Sequence, residues 1–351
     1  MNPLKFGLFG FGYAGQTFHA PLVRATAGLE LAAVASSDAA RVHAALGSAV
    51  AVLTPSELLA RSDIDCIVVA SPNDSHHPLA LAALEAGRHV VVDKPFAIDA
   101  AQAAAMVTAA ERHGRLLSVF HNRRWDSDFL GLRRFISDGS LGRPVELITH
   151  FDRYRPEVRA RWREGDGPGA GIWMDLGPHL VDQALQLFGL PQAITLDRAR
   201  LREGALADDW FSAHLRWTRG PHAGLRAQLS ASMLAAHAGP RFVLHGSGGS
   251  LRIDGLDPQE AALKAGATPA TLQPWGADSR QAQVWRGESA AFEPLALPSG
   301  DYPHYYAALR DALLGLGPNP VPAREALAVQ QVIDAGLRSD VLRAEQALAF
   351  D

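Results

Sequence analysis

The sequence predicts an α/β protein of two domains: an N-terminal doubly wound parallel sheet, then an α+β domain with an open, largely antiparallel sheet. Three observations predict it. Apolar strands alternate with helical segments as far as His121. A glycine-rich turn, "GFGYAG", follows the first of those strands. Farther on, apolar and polar residues alternate one by one, as in strands with only one covered face.

Residues 4 to 9 form the first apolar strand, and Gly10, Gly12 and Gly15 follow it in the G-x-G-x-x-G spacing. Between a strand and a helix this pattern permits a tight turn and close backbone approach, so helix N-terminal amides can hold a pyrophosphate. The expected contact residues are Gly10, Phe11, Gly12, Tyr13, Ala14 and Gly15. The strand "LELAAVASS" comes next, then a helix from about Asp38, the strand "CIVVAS" and a helix in "HPLALAALEAG". "HVVVDK", a helix in "DAAQAAAMVTAAERHG" and "LLSVFH" complete the series. We place the domain boundary here, giving 1–122 and 123–351.

In the second domain Val145, Leu147 and Phe151 fall on one face of a strand, and Glu146, His150 and Asp152 on the other. Leu225, Ala227, Leu229, Ala231 and Met233 repeat the pattern. Helices are predicted near 128–138, 178–188, 302–314 and 323–338. Residues 256–290, rich in Gly, Pro and polar side chains, read as loops.

Composition narrows the function. With 351 residues, 48% of them apolar and 20% charged, the chain can bury a sizeable core. A net charge of -4 gives no electrostatic footprint for nucleic acid or an acidic membrane surface. No apolar run approaches the roughly 20 residues of a membrane span. The lone cysteine, Cys66, lies in an apolar run and cannot form an intrachain disulfide. With a strand starting directly after the N-terminus, the expectation is a cytoplasmic protein with no membrane or nucleic-acid partner.

Chemistry-bearing residues gather where strands end. In "HVVVDKPFAI" the valines read as a buried strand, so Lys94 emerges at its carboxyl end, the ligand-binding edge of open α/β sheets. Pro95 biases Lys94 to an extended backbone and permits a cis bond. The second strand ends in Ser36 and Ser37, where NAD-binding folds commonly place an acid for the ribose 2′-hydroxyl. Two hydroxyls and Arg41 suit a 2′-phosphate, so NADP is the expected cofactor. Asp38, two residues on, keeps NAD as the alternative. Asp175 and His179 share a face if their segment is helical. Arg123 and Arg124 could face the substrate, the cofactor or an inter-domain carboxylate. Asp152 and Tyr154 lie on the polar side of their strand, where they could bind a ligand or simply be solvated.

In this order "GFGYAG", "DKP" and "DLGPH" resemble the Gfo/Idh/MocA oxidoreductases, and the likeness covers nearly the whole chain. "SVFHNRRWDSDFL", "HFDRYRPEVRARWRE", "DLGPHLVDQALQLFGLP" and "DYPHYYAALRDAL" look like the scyllo-inositol 2-dehydrogenase branch. The resemblance implies a Rossmann domain, a nicotinamide cofactor and reversible hydride transfer. It places Lys94 beside the nicotinamide and makes His179, supported by Asp175, the general base. It adds Ser71, Pro72, Asn73, His76, Pro95, Trp162 and Arg163 to the cofactor contacts. Substrate contacts are then expected from Lys94, Arg123, Asp152, Tyr154, Asp175 and His179. Histidine titrates near neutrality, which suits reversible proton transfer. The expected activity is oxidation of scyllo-inositol or a close cyclic polyol to a 2-keto inosose. An aldose or keto-sugar substrate, and a non-catalytic cofactor-binding sensor, are the alternatives. No metal is expected; relatives imply a homodimer or homotetramer.

Overall fold

Small and β-branched side chains dominate the first sheet because both of its faces are covered. In the computed structural model, which describes residues 2–350, its strands are β1 (Leu4–Phe9), β2 (Leu29–Ala35), β3 (Ala51–Leu53), β4 (Cys66–Val69), β5 (His89–Val92) and β6 (Leu117–Val119). All pair in parallel in the order β3-β2-β1-β4-β5-β6. Cys66 to Val69 and Val90 to Val92 are fully buried. The order reverses between β1 and β4, the switch point at which such sheets open a crevice.

Two compact units make up the chain, and they are discontinuous in sequence. The first comprises residues up to Trp125, Pro258–Gly276 and Asp301–Leu327; the second holds Asp126–Asp257, Ala277–Gly300 and the residues after Leu327. Two segments from beyond residue 122 therefore belong to the first unit. The Gln259 side chain explains the return of the chain to the first unit. It donates to Trp125 O at 3.0 Å and accepts from Trp275 Nε1 and Tyr302 N, both at 2.7 Å. From the helix Tyr302–Leu313, the Tyr305 hydroxyl then donates to Ser118 Oγ at 2.9 Å, and the Tyr306 hydroxyl lies 2.6 Å from His19 Nδ1.

The second unit is built on a nine-stranded sheet. Its strands are β7 (Pro144–His150), β8 (Ala193–Ala199), β9 (Trp210–Arg216), β10 (Arg226–Ser232), β11 (Phe242–Gly246), β12 (Gly249–Ile253), β13 (Gln281–Arg286), β14 (Glu293–Ala296) and β15 (Gln346–Ala347). The order is β14-β13-β12-β11-β7-β10-β9-β8-β15, antiparallel except for the parallel β7–β10 pair. Leu147, Ala227, Leu229, Ala231, Ala213 and Leu215 are buried, as the alternation predicts.

The helix Ile172–Phe188 packs on this sheet through Trp173, whose ring meets Phe211 edge-on at 4.9 Å and whose Nε1 donates to Ile333 O at 3.1 Å. A Cβ at Gly177 would lie 2.8 Å from the Trp173 ring, so only glycine fits one turn later. The helix starts at Ile172, not near 178. Pro178 removes one backbone bond, but the burial of Ile172, Trp173, Met174 and Leu176 outweighs that loss. Residues 256–290 also depart from the loop reading, since they contain the helix Gln259–Lys264 and β13. Among the described residues no helix is long and apolar enough to cross a membrane.

Candidate active site

In the first unit the glycine turn lies at the carboxyl end of β1. Gly10 has φ +89° and donates to Ala35 O at 3.1 Å, and a Cβ there would sit 2.8 Å from Ala70 O. A Cβ on Gly15 would strike the Gly10 carbonyl, whereas one on Gly12 would meet nothing within 4 Å. Two glycines thus allow close packing, and the third borders open space at a helix that begins at Tyr13. That cradle fits a pyrophosphate approaching the helix N-terminus. Phe11 is buried, Ala14 half-buried and Tyr13 exposed.

At the end of β2, Asp38 caps the helix Ala39–Leu46 by accepting from Arg41 N at 2.9 Å. Its own amide donates to Ser36 Oγ at 3.1 Å. Arg41 Nη2 donates to Gln16 Oε1 at 2.8 Å, on the helix that follows the glycine turn. Ser37 is exposed beside them.

The predicted 71–76 loop and the Lys94 turn meet through one imidazole. His76 Nδ1 lies 2.9 Å from Pro95 O, and Nε2 lies 3.0 Å from Ser71 O. Pro72 directly precedes the helix Asn73–Glu85, on which Asn73 and His76 are buried. The Lys94–Pro95 peptide is cis, and Lys94 N donates to Asp93 Oδ1 at 2.8 Å. Burial would push the Asp93 carboxyl up, but His19, Lys94 and His76 around it hold it below the ordinary range. His19 Nε2 stands 3.8 Å from Asp93 Oδ1.

In the second unit the helix Ile172–Phe188 carries both Asp175 and His179. His179 is 5% exposed and lies near-parallel to the Phe151 ring, with centroids 6.4 Å apart. Arg163 Nε is 3.5 Å from Asp175 Oδ1, and its guanidinium covers the Trp162 ring at 4.3 Å. Arg163, expected at the cofactor, thus faces the motif aspartate. Asp208 holds the start of this helix. Its Oδ2 accepts from Trp173 N at 2.8 Å, its carbonyl from Ile172 N at 2.9 Å, and Arg198 Nη1 lies 3.0 Å from Oδ1. Gly171, with φ +94°, has no room for a Cβ against the Asp208 carboxylate. Burial pushes the Asp208 carboxyl above its ordinary value despite these donors.

Three expected substrate contacts have partners within the protein. Arg123 Nη2 donates to Glu260 Oε2 at 2.5 Å and is buried. The chain leaves β7 at His150, so Asp152 is not on a solvated strand face; it accepts from Ser232 N at 3.1 Å and Gly239 N at 3.0 Å. Tyr154 is 60% exposed and makes a single bridge with Leu234. Arg124, left open by the sequence, pairs with Glu325 at 2.6 Å. Sequence reasoning missed Glu260 and Asp208. The spacing of Glu260 and Lys264, four residues apart, was the available helix signal. Among the described residues no group of three or more His, Cys, Asp or Glu side chains could hold a metal ion.

Comparison with known proteins matches two family models in succession along the chain. Residues 4–121 match the oxidoreductase family model of the NAD-binding Rossmann fold, and 133–343 match the family's C-terminal alpha/beta domain. The chain is 49% identical over 348 residues to an uncharacterized oxidoreductase, YdgJ, of Escherichia coli (strain K12), covering 99% of both chains. It is 35% identical over 343 residues to scyllo-inositol 2-dehydrogenase (NADP(+)) IolW of Bacillus subtilis (strain 168), covering 97% of this chain and 94% of that one. The solved structure of YPO2259 from Yersinia pestis superposes with a TM-score of 0.93 at 48% identity, covering 100% of this chain and 98% of that one. With a glycine-rich turn in one unit and a helix bearing Asp175 and His179 in the other, the chain belongs to the Gfo/Idh/MocA oxidoreductase family.

Proposed function

We propose that the protein oxidises scyllo-inositol or a close cyclic polyol to the 2-keto inosose, with NADP as the preferred cofactor. One observation carries the catalytic reading: Asp175 and His179 lie one turn apart on Ile172–Phe188, with Arg163 set against Asp175. When bound, the nicotinamide supplies the hydride acceptor. His179 takes the hydroxyl proton as the carbon loses hydride, leaving a carbonyl. Asp175 orients the imidazole and favours its charged form. The Lys94 ammonium polarises the reacting oxygen.

The substrate class rests on the likeness to IolW, and the NADP preference on Ser36, Ser37 and Arg41. Asp38, which would serve NAD, caps its helix through Oδ1. A homodimer or homotetramer and a cytoplasmic setting complete the proposal, the latter supported by the lone buried thiol of Cys66. Light scattering at micromolar concentration tests the assembly, and a monomeric mass would refute it.

The deciding experiment measures initial rates of cofactor reduction with scyllo-inositol and myo-inositol, each with NAD and with NADP. Turnover of scyllo-inositol with NADP is expected. Silence in all four assays, followed by turnover of aldoses or keto-sugars, would replace the substrate; cofactor binding with no turnover on any of them would point to a sensor.

A further inference from the structure

The helix Gln259–Lys264 and the glycine turn converge on one carboxylate within the first unit. Glu260 accepts from the Tyr13 hydroxyl at 2.8 Å, from Arg123 Nη2 at 2.5 Å and from Lys264 Nζ at 2.6 Å. The Arg123 side chain is 6% exposed and that of Glu260 16%, whereas Lys264 is 46% exposed. Lys264 Nζ also stands 5.6 Å from the centroid of the Tyr13 ring. Tyr13 directly follows Gly12, the glycine that borders open space.

Charge gives this cluster a direction. Arg123 and Lys264 both pair with the Glu260 carboxylate, Arg123 from the buried side and Lys264 from the exposed side. Lys264 is the cation of the pair that solvent and ligands can reach. We propose that Lys264 is a cofactor-binding residue, the counter-charge for the dinucleotide's pyrophosphate, and that Glu260 and Tyr13 are positioning residues that hold it there. A single carboxylate fixing the lysine reduces the rotamer freedom that a long side chain would otherwise lose on binding. The inference rests on the dinucleotide reading of the glycine turn and adds to it a segment far away in sequence.

The test is fluorescence titration with NADPH, and calorimetric titration with adenosine 2′-monophosphate, which carries the 2′-phosphate and has no phosphate at the 5′ position. Lys264→Ala should weaken NADPH binding about tenfold, while affinity for the monophosphate stays within about twofold. Lys264→Arg should recover most of the loss, and the wild-type advantage should shrink as salt rises. Because Lys264 is exposed, thermal unfolding of the variants should match the wild type. NADPH affinity unchanged in Lys264→Ala, or an equal loss for both probes, would overturn the proposal. Failure of the wild type to bind any nicotinamide cofactor would instead overturn the dinucleotide reading itself.

Discussion

Glu260 in the first unit and Asp208 in the second are both mostly buried carboxylates, yet their acidities move in opposite directions. Burial alone would push the Glu260 carboxyl up. Arg123, Lys264 and Tyr13 outweigh it and hold that carboxyl well below the ordinary range. For Asp208 burial wins. The Trp173 amide and Arg198 only partly offset it, and Arg198 also serves Asp340, at 3.1 Å. Two cations face Glu260, whereas Asp208 has one that it shares with Asp340, and this difference in opposing charge sets the sign. The two acids do different work accordingly. One gathers cations where an anionic cofactor is expected; the other fixes the start of the helix that carries Asp175 and His179.

If the first unit holds the cofactor and the second the proton chemistry, variants should separate binding from turnover. His179→Ala should lower turnover by about 10²–10⁴-fold while NADPH affinity stays within about twofold. Parallel loss of both, read by steady-state kinetics and titration, would break the division of labour. The next effect in size is on stability. Glu260→Gln strands the buried Arg123 guanidinium and should cost about 3 kcal/mol in urea unfolding. Asp208→Asn retains an oxygen that can accept from Trp173 N, and its effect should stay within about 1 kcal/mol.

Their pH profiles sharpen the contrast. Glu260 ionises more readily folded than unfolded, so its contribution is complete above the ordinary glutamate range and is lost as pH falls toward its depressed value. Asp208 does the reverse. Its folded form keeps its proton longer, so wild-type stability relative to Asp208→Asn falls as pH rises through the elevated value. Unfolding at a series of acidic pH values should give the two wild-type-minus-variant curves opposite slopes. Slopes of the same sign would show that the facing cations do not control the balance.

How much of this was legible in sequence depended on whether the signal was local. The valines of β5 and the alternation of Leu225 to Met233 report burial directly, so both sheets could be read. Asp175 and His179 could be placed on one helix face because spacing alone fixes a face. β3 and the helix Pro55–Ala60 were overlooked because they are short, although Thr54 and Glu57 form a capping box with the Thr54 amide donating to Glu57 Oε2 at 2.8 Å. The rest was not local. Arg123 finds its partner 137 positions away, and nothing in "NRRW" specifies Glu260. Asp208 lies 35 residues from the Trp173 amide it accepts from, so its cap cannot be read where capping is normally sought. The return of 258–276 and 301–327 to the first unit is likewise a tertiary fact, carried by the three bonds of Gln259.

The smallest predicted effect concerns the other edge of the cofactor cradle. Arg41 is exposed and held by Gln16, so removing it should leave the fold intact. A guanidinium facing a 2′-phosphate contributes a charge-assisted bond that a 2′-hydroxyl does not need. Arg41→Ala should therefore raise the KM for NADP about tenfold and leave that for NAD within about twofold. The ratio of the two is the informative quantity, because a general loosening of the glycine turn would raise both. An equal rise would mean that Arg41 acts through Gln16 on the turn itself. The 2′-phosphate would then rest on Ser36 and Ser37 alone, and the preference for NADP would lose its charged component.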